Sequence, residues 1–233
     1  LRKNIKNGDI ERFIHKERYE YLIYIDNNTN IQNFPNILKY LTVHKQKLLQ
    51  RNEVKRGLYN WYRLERPRKK EIFDSPEKLI VPYRAEKNRF AYDNRQFFND
   101  GGDIRAIVLK EDVSVSIKYL LGILNSKLLN WQYGFIGKPK GKSREYFNEP
   151  MAKIPIRAIN YSIPSDKVYH DKMVALVEQI IDLHKQISEA KLPQAKTTIQ
   201  RQIEATDQQI DQLVYKLYDL TEEEIKIIEA DNS

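Results

Sequence analysis

Between Lys39 and Lys70 the chain carries Lys39, Lys45, Lys47, Arg51, Lys55, Arg56, Arg63, Arg66, Arg68, Lys69 and Lys70, opposed only by Glu53 and Glu65. Tyr59, Trp61 and Tyr62 are interleaved with them. Arginine grips a phosphate through two parallel N–H groups and can also read guanine O6 and N7 in the major groove. Lysine acts there as a mobile point charge. This mixture suits a nucleic acid, with a solvated basic face as the plain alternative for any single residue. Trp61 is expected to pack in a core, because an indole in a strand-like context usually does. A second basic stretch, Gly134 to Arg144, holds Lys138, Lys140, Lys142 and Arg144 without an acid. Gly134, Gly137, Gly141 and Pro139 argue against a regular element there, so it reads as a loop that brings backbone and lysines close to phosphates. The candidate contact set is Arg51, Lys55, Arg56, Arg63, Arg66, Arg68, Lys69, Lys70, Arg84, Lys138, Lys140, Lys142 and Arg144. Prolines stiffen the backbone beside Arg63, Arg66 and Arg68, so these are expected to read bases. The three lysines on the glycine-spaced loop are expected only to hold phosphates.

Catalytic chemistry is sparse. The absence of cysteine excludes disulfides, thiolate zinc sites and cysteine nucleophiles. His15, His44, His170 and His184 have no metal-ligand spacing. No glycine-rich nucleotide loop and no G-x-S-x-G elbow occurs, and Gly101-Gly102 is a lone pair in a turn. Asp74-Ser75-Pro76-Glu77-Lys78 echoes a metal-dependent nuclease motif with its carboxylates too compressed. Val81-Pro82-Tyr83 echoes an Asn-Pro-Pro-Tyr motif without its asparagine. No catalytic, cofactor-binding or metal-binding residue is assigned, and the chain is not expected to be an enzyme. Two other classes stay open: a nuclease or other enzyme with an unrecognised site, and a coiled-coil adaptor.

The 233 residues are 41% hydrophobic and 31% charged, which fits a folded chain of one large or two small domains. No apolar run is long enough to span a membrane. Leu1 to Lys6 lacks an initiator Met and a signal-peptide core, so the chain reads as an excised piece of a longer, intracellular polypeptide. Residues 1–165 hold 32 Lys and Arg against 18 Asp and Glu, a balance of +14, whereas residues 166–233 hold 8 against 14, a balance of −6. A polyanion would therefore touch only the first part. The β-branched and aromatic run Tyr21 to Ile25 predicts a strand, and Pro35 opens a helix over residues 36–56. Lys78 to Tyr83, Arg89 to Tyr92 and Ile104 to Leu109 predict short antiparallel strands. Ser114 or Ser116 caps a helix carrying Tyr119, Leu120, Ile123, Leu124, Leu128 and Trp131. Met173, Leu176, Ile180, Leu183 and Ile187, then Ile199, Ile203, Thr206, Ile210, Leu213, Leu217 and Leu220, repeat at a 3-4 spacing on either side of Pro193. That is an antiparallel helical hairpin with a coiled-coil-like seam, and Thr221 to Glu224 is a capping box for a last helix. The fold class is α+β. The expected units are residues 1–34 as a linker or the end of a preceding domain, 35–165 as a small mixed or antiparallel-sheet domain, and 166–233 as the hairpin.

Five segments then occur in order: Asn60-Trp61-Tyr62-Arg63-Leu64-Glu65-Arg66-Pro67-Arg68, Lys78-Leu79-Ile80-Val81-Pro82-Tyr83, Phe90-Ala91-Tyr92-Asp93, Tyr119 to Leu128, and Glu149-Pro150-Met151-Ala152-Lys153-Ile154-Pro155-Ile156. With the hairpin, this series resembles the TaqI-like C-terminal specificity domain of type IIG restriction–modification enzymes and adenine-specific DNA methyltransferases, over residues 35–229. It is more distantly similar to the target-recognition halves of type I specificity subunits. The resemblance implies a bacterial, cytoplasmic target-recognition domain that holds double-stranded DNA against a methyltransferase domain of the same parent chain. S-adenosylmethionine, and Mg²⁺ where the parent also cleaves, would belong to that other part. Base-reading residues differ between members of such a family, so the resemblance leaves the recognition sequence open. Leu120, Leu121, Ile123, Leu124 and Leu128 look like scaffold.

Overall fold

A computed structural model describes residues 1–99 and 101–231. Asp100, Asn232 and Ser233, which fall within the expected recognition and hairpin units, lie outside the described residues. The chain starts with β1 (Arg2–Lys3), antiparallel to β2 (Tyr21–Leu22). Three short helices follow, α1 (Pro35–Val43), α2 (Lys45–Leu48) and α3 (Asn52–Lys55), and then α4 (Lys70–Asp74). Next come β3 (Lys78–Pro82), β4 (Arg84–Ala85), β5 (Ala91–Asp93) and β6 (Ile104–Ile107). Helices α5 (Ile117–Asn125) and α6 (Lys127–Ile136) lead to β7 (Lys138–Lys140), β8 (Ser143–Glu145) and α7 (Asn148–Met151). The chain then runs through α8 (Pro164–Glu189), α9 (Pro193–Leu217) and α10 (Glu222–Asp231). The class is α+β, as the sequence predicts.

Strand β3 is central in the antiparallel sheet β5–β3–β6, and all five of its residues are buried. Successive side chains of a strand point to opposite faces. Leu79 and Val81 accordingly enter one core, closed by α5, α6, α8 and α9, while Ile80 enters a second with Ile5, Ile10, Phe73, Phe97, Phe98 and Ile104. Residues 1–34 therefore do not run as a linker. Ile5, Ile10, Phe13, Ile25 and Ile31 are buried, the Phe13 amide donates to the Phe90 carbonyl (2.8 Å), and the Tyr92 amide donates to the Phe13 carbonyl (3.0 Å). Ile5 and Ile10 enter the second core and Phe13 enters the first, so this segment packs against both faces of the β3 sheet.

Four other expectations change. The helix over 36–56 is three pieces with no buried residue, since Arg51 is extended (ψ 134°) and no core face lies along it to reward continuation. The strand at 21–25 shortens to Tyr21–Leu22. The helix after Ser116, whose hydroxyl accepts from the Lys118 amide, divides at extended Ser126, and Ser126 caps α6 through the Leu129 amide. The stretch 134–144 is not a loop. It ends α6 at Gly137 and forms the tight hairpin β7–β8, with Gly141 at φ 61° taking the turn and Pro139 on the edge strand of sheet β4–β8–β7, where its missing donor is harmless.

The α8–α9 hairpin forms with the predicted seam: Met173, Leu176, Ile180, Leu183, Ile203, Ile210, Leu213 and Leu217 are buried. Its polar member, Thr206, is also buried and returns its hydroxyl to the Gln202 carbonyl (2.8 Å). The capping box is present, with Thr221 and Glu224 each accepting from the other's amide (2.8 and 3.3 Å). The hairpin is docked on the body along α5. A Cβ on Gly122 would lie 2.3 Å from Met173 Sδ and 3.0 Å from Val177 Cγ2, so glycine is what lets the two helices approach. At the other arm, the Asp211 carboxylate accepts the Lys127 amide (2.8 Å) and so caps α6, and Arg12 forks onto both oxygens of Asp207 at 2.7 Å.

Two outcomes follow from this docking. Gly122→Leu should lower the unfolding free energy by about 2–3 kcal/mol through overpacking, read as a shift in urea midpoint; an unchanged midpoint would show that α5 and α8 are not in contact. Burial pushes the Asp211 carboxyl up to about 6, against the opposing pull of the Lys127 amide. In the unfolded chain it ionises near the ordinary value, so stability is retained below about pH 4 and lost as pH rises toward 6. Asp211→Asn keeps the acceptor for Lys127 and removes the charge. Its stability relative to the parent should therefore rise between pH 4 and 7 by on the order of 2–3 kcal/mol, and a pH-independent difference would refute the assignment.

Candidate nucleic-acid interface

The candidate residues fall into two groups by what holds their side chains. Arg51 is occupied inside the protein: its guanidinium donates to the carbonyls of Leu48, Trp61 and Arg63. Arg144 donates to the Asn130 carbonyl (2.7 Å) and packs against Gly134. Lys55, Arg56, Arg66, Lys69, Lys70, Lys138, Lys140 and Lys142 are exposed. Of these, Lys70 approaches Asp74 at 3.8 Å and Arg66 approaches Glu65 at 3.6 Å, contacts that solvent makes weak. Trp61 is only half-buried; it meets Tyr62 edge-to-face at 5.5 Å, and the Lys45 ammonium lies 5.4 Å from the centre of its ring. The segment containing it has no core for the indole to enter.

From Arg68 or Lys70 to Lys138 or Lys140 the two basic stretches are 68 to 72 residues apart along the chain, and the pairing of β4 with β8 sets Arg84, which lies between them in sequence, against the second stretch. Arg84 on β4 donates to Glu145 Oε1 on β8 (2.6 and 2.9 Å), and Lys138 on β7 lies 3.8 Å from the other oxygen of the same carboxylate. The Arg84 hydrogen bonds and both cations hold the Glu145 carboxyl below its usual range, although desolvation opposes them. From Arg84 the series continues inward. The guanidinium of Arg84 lies 5.4 Å from the Tyr83 ring centre and that of Arg105, on β6, lies 4.7 Å from it. Burial and then the nearby charge of Arg68 pull Arg105 below the ordinary arginine value. The Arg68 guanidinium reaches to 3.1 Å from the position of a Cβ on Gly102, whose φ of 84° already demands glycine. Lys138, Arg84, Tyr83, Arg105 and Arg68 thus form a run of neighbouring contacts across both sheets, with the exposed lysines of β7–β8 at one end and the α1–α3 arm at the other.

Arg105 was not among the sequence candidates, because an arginine alternating with apolar residues in a strand reads as the solvent face of a sheet. Asp26 was also missed, since Asp26-Asn27-Asn28 reads as a turn. The compressed acidic motif is used structurally: Asp74 pairs with Arg2, and Glu77 accepts the Tyr92 hydroxyl (2.9 Å). Among the described residues no group of three His, Asp or Glu is placed to hold a metal ion, and no helix is long and apolar enough to cross a membrane.

The chain is 32% identical over 171 residues to the type II methyltransferase M.HincII of Haemophilus influenzae, covering 70% of this chain and 34% of that protein. It is 30% identical over 170 residues to the type II methyltransferase M.HindII of the same species, covering 70% of this chain and 33% of that protein. The chain thus spans about a third of the length of the curated relatives it matches. The matched region runs from Lys3 in β1 through α7 and so takes in both three-stranded sheets, the α1–α3 arm and the β7–β8 hairpin. Since the family model of the TaqI-like C-terminal specificity domain matches residues 3–156, the chain belongs to the family of TaqI-like C-terminal specificity domains.

Proposed function

We propose that the chain is a sequence-specific double-stranded-DNA recognition module, which positions DNA for an adenine methyltransferase domain of the same parent protein. The observation that carries this reading is the basic run from Lys138 through Arg84, Tyr83 and Arg105 to Arg68, flanked by exposed lysines and arginines on two protruding elements. Such a surface neutralises a line of phosphates while its arginines reach base edges. Its exposed cations contrast with the acidic hairpin, which lies outside the matched family region and carries a balance of −6 from residue 166 onward. The hairpin serves here as a spacer or a docking surface for the linked domain.

On this reading the chain carries no catalytic residue. S-adenosylmethionine, and Mg²⁺ if the parent protein cleaves DNA as well, act in the linked part, and no residue described here is assigned to either. The working compartment is the cytoplasm, where the DNA is.

Binding to duplex DNA should weaken steeply with salt. If about six phosphates are neutralised, log K should fall against log[salt] with a slope of about −5. Replacing Lys138, Lys140 and Lys142 together by Ala should weaken binding to all duplexes alike and make the slope shallower by up to about three. Fluorescence anisotropy across a salt series measures both. A flat salt response, or no binding at low salt, would refute the proposal.

A further inference from the structure

Arg63, five residues before the Arg68 end of the basic run, is held differently from the arginines of that run. Its guanidinium lies 5.0 Å from the centre of the Tyr59 ring, its Nε is buried, and that nitrogen has no hydrogen-bond partner among the described residues. No ion pair joins Arg63 to a described carboxylate either. Arg51 holds the carbonyls on both sides of Tyr62, those of Trp61 and Arg63, and its own guanidinium lies 5.5 Å from the same Tyr59 ring. Two cations are therefore packed on one phenol ring with the backbone beneath them fixed.

Asp26 faces the same space. The Leu64 amide donates to the Ile25 carbonyl (3.1 Å), which sets residue 63 beside residue 26. Both line a polar pocket of about 570 Å³ together with Asn27, Thr29, Asn60 and Trp61. Thr29 and the Asn28 amide both donate to Asp26 Oδ1, at 2.6 and 3.0 Å, which orients the carboxylate and leaves Oδ2 without a described partner. The Thr29 hydrogen bond in particular holds the carboxyl below its usual range, against the effect of desolvation, so it is ionised at neutral pH. An oriented carboxylate and an oriented guanidinium thus share one pocket without pairing to each other.

A phosphate seat would not include Asp26, whose charge repels an anion. The major-groove edge of a G·C pair requires both partners: guanine offers two acceptors, O6 and N7, and cytosine offers the N4 donor. We propose that Arg63 and Asp26 together read one G·C base pair, with Arg51 and Tyr59 as positioning residues. This rests on the DNA-recognition reading above and adds the identity of one base pair and the residues that read it.

The test is selection of the 233-residue chain on a random duplex library, followed by competition binding. The parent chain should enrich a motif containing a fixed G·C pair. Arg63→Ala and Asp26→Asn should each lose information at that same position, keep the rest of the motif, and weaken binding to the preferred duplex on the order of tenfold. Substituting 7-deazaguanine at that position should weaken the parent chain comparably and leave Arg63→Ala unaffected. Tyr59→Phe keeps the ring and should keep the motif, whereas Arg51→Ala should blur the same position. Thermal melting of each variant checks that it is folded. If the parent enriches a motif and Arg63→Ala retains it whole while losing affinity for all duplexes equally, Arg63 contacts phosphate only and this inference fails alone. If the parent enriches no motif, the recognition reading itself fails.

Discussion

The structure turns on one buried ion pair. Lys78 and Asp93 are cross-strand partners in β3 and β5, their side chains have no solvent exposure, and the ammonium lies 2.6 Å from Asp93 Oδ2. Desolvation alone would push the Asp93 carboxyl up. Hydrogen bonding from His15, the charge of Lys78 and the Arg95 amide outweigh it, and the carboxyl lies below its usual range. The Arg95 and Phe97 amides each donate at 2.9 Å, and His15 Nε2 lies 3.3 Å away. A lone charge at this depth costs several kcal/mol, so none of these groups can leave without exposing another. Because His15 belongs to the N-terminal segment, the pair ties residues 1–34 to the sheet and explains why both cores close around β3.

The second constraint is the set of side-chain to backbone bonds that lock the helices onto this sheet. Asn125, at the end of α5, donates to the Phe90 carbonyl (2.8 Å) and accepts the Phe90 amide (2.9 Å), mimicking a strand partner. Asn88 donates to the Leu124 carbonyl, and its side-chain oxygen accepts the Tyr146 hydroxyl, both at 2.8 Å. Tyr146 stacks on Tyr133 at 4.5 Å, and the Tyr133 hydroxyl donates to the Glu145 carbonyl. These bonds run from β5 through α5 and α6 to β8, so the basic hairpin is held rigidly on the body. The α1–α3 arm lacks such anchoring and is shaped mainly by the Arg51 clamp on its own carbonyls. One basic element is therefore preset, while the other is organised locally around Tyr59.

Several sequence patterns that report local physics were accurate. The 3-4 spacing of the hairpin seam, the Ser116 cap, the Thr221 box and the β-branched runs of β3 and β6 each follow from side-chain direction or from a hydrogen bond within one turn. The scaffold role of Leu121, Ile123, Leu124 and Leu128 was legible for the same reason, while Leu120 is only half-buried against that core. Glycine was harder to read. At 137 and 141 it ends a helix and makes a hairpin turn, which a local reading takes for an irregular loop, and at 122 it admits Met173 from a helix some fifty residues away. The basic character of the surface was also visible in the sequence, but which cations are available was not. Arg51 and Arg144 look like their neighbours until the carbonyls that accept from them are in place.

By itself the sequence determined the class of fold, the long hairpin, the split between a basic body and an acidic tail, and the family resemblance. All of these depend on residue type and short-range periodicity. Only the tertiary structure decided that the N-terminal segment belongs to the core, that β4 sets Arg84 against β8, and that Asp26 stands beside Arg63. Those outcomes depend on burial and on hydrogen bonds between segments tens of residues apart. A side chain's surroundings in such a case are set by the rest of the fold, which no local spacing encodes.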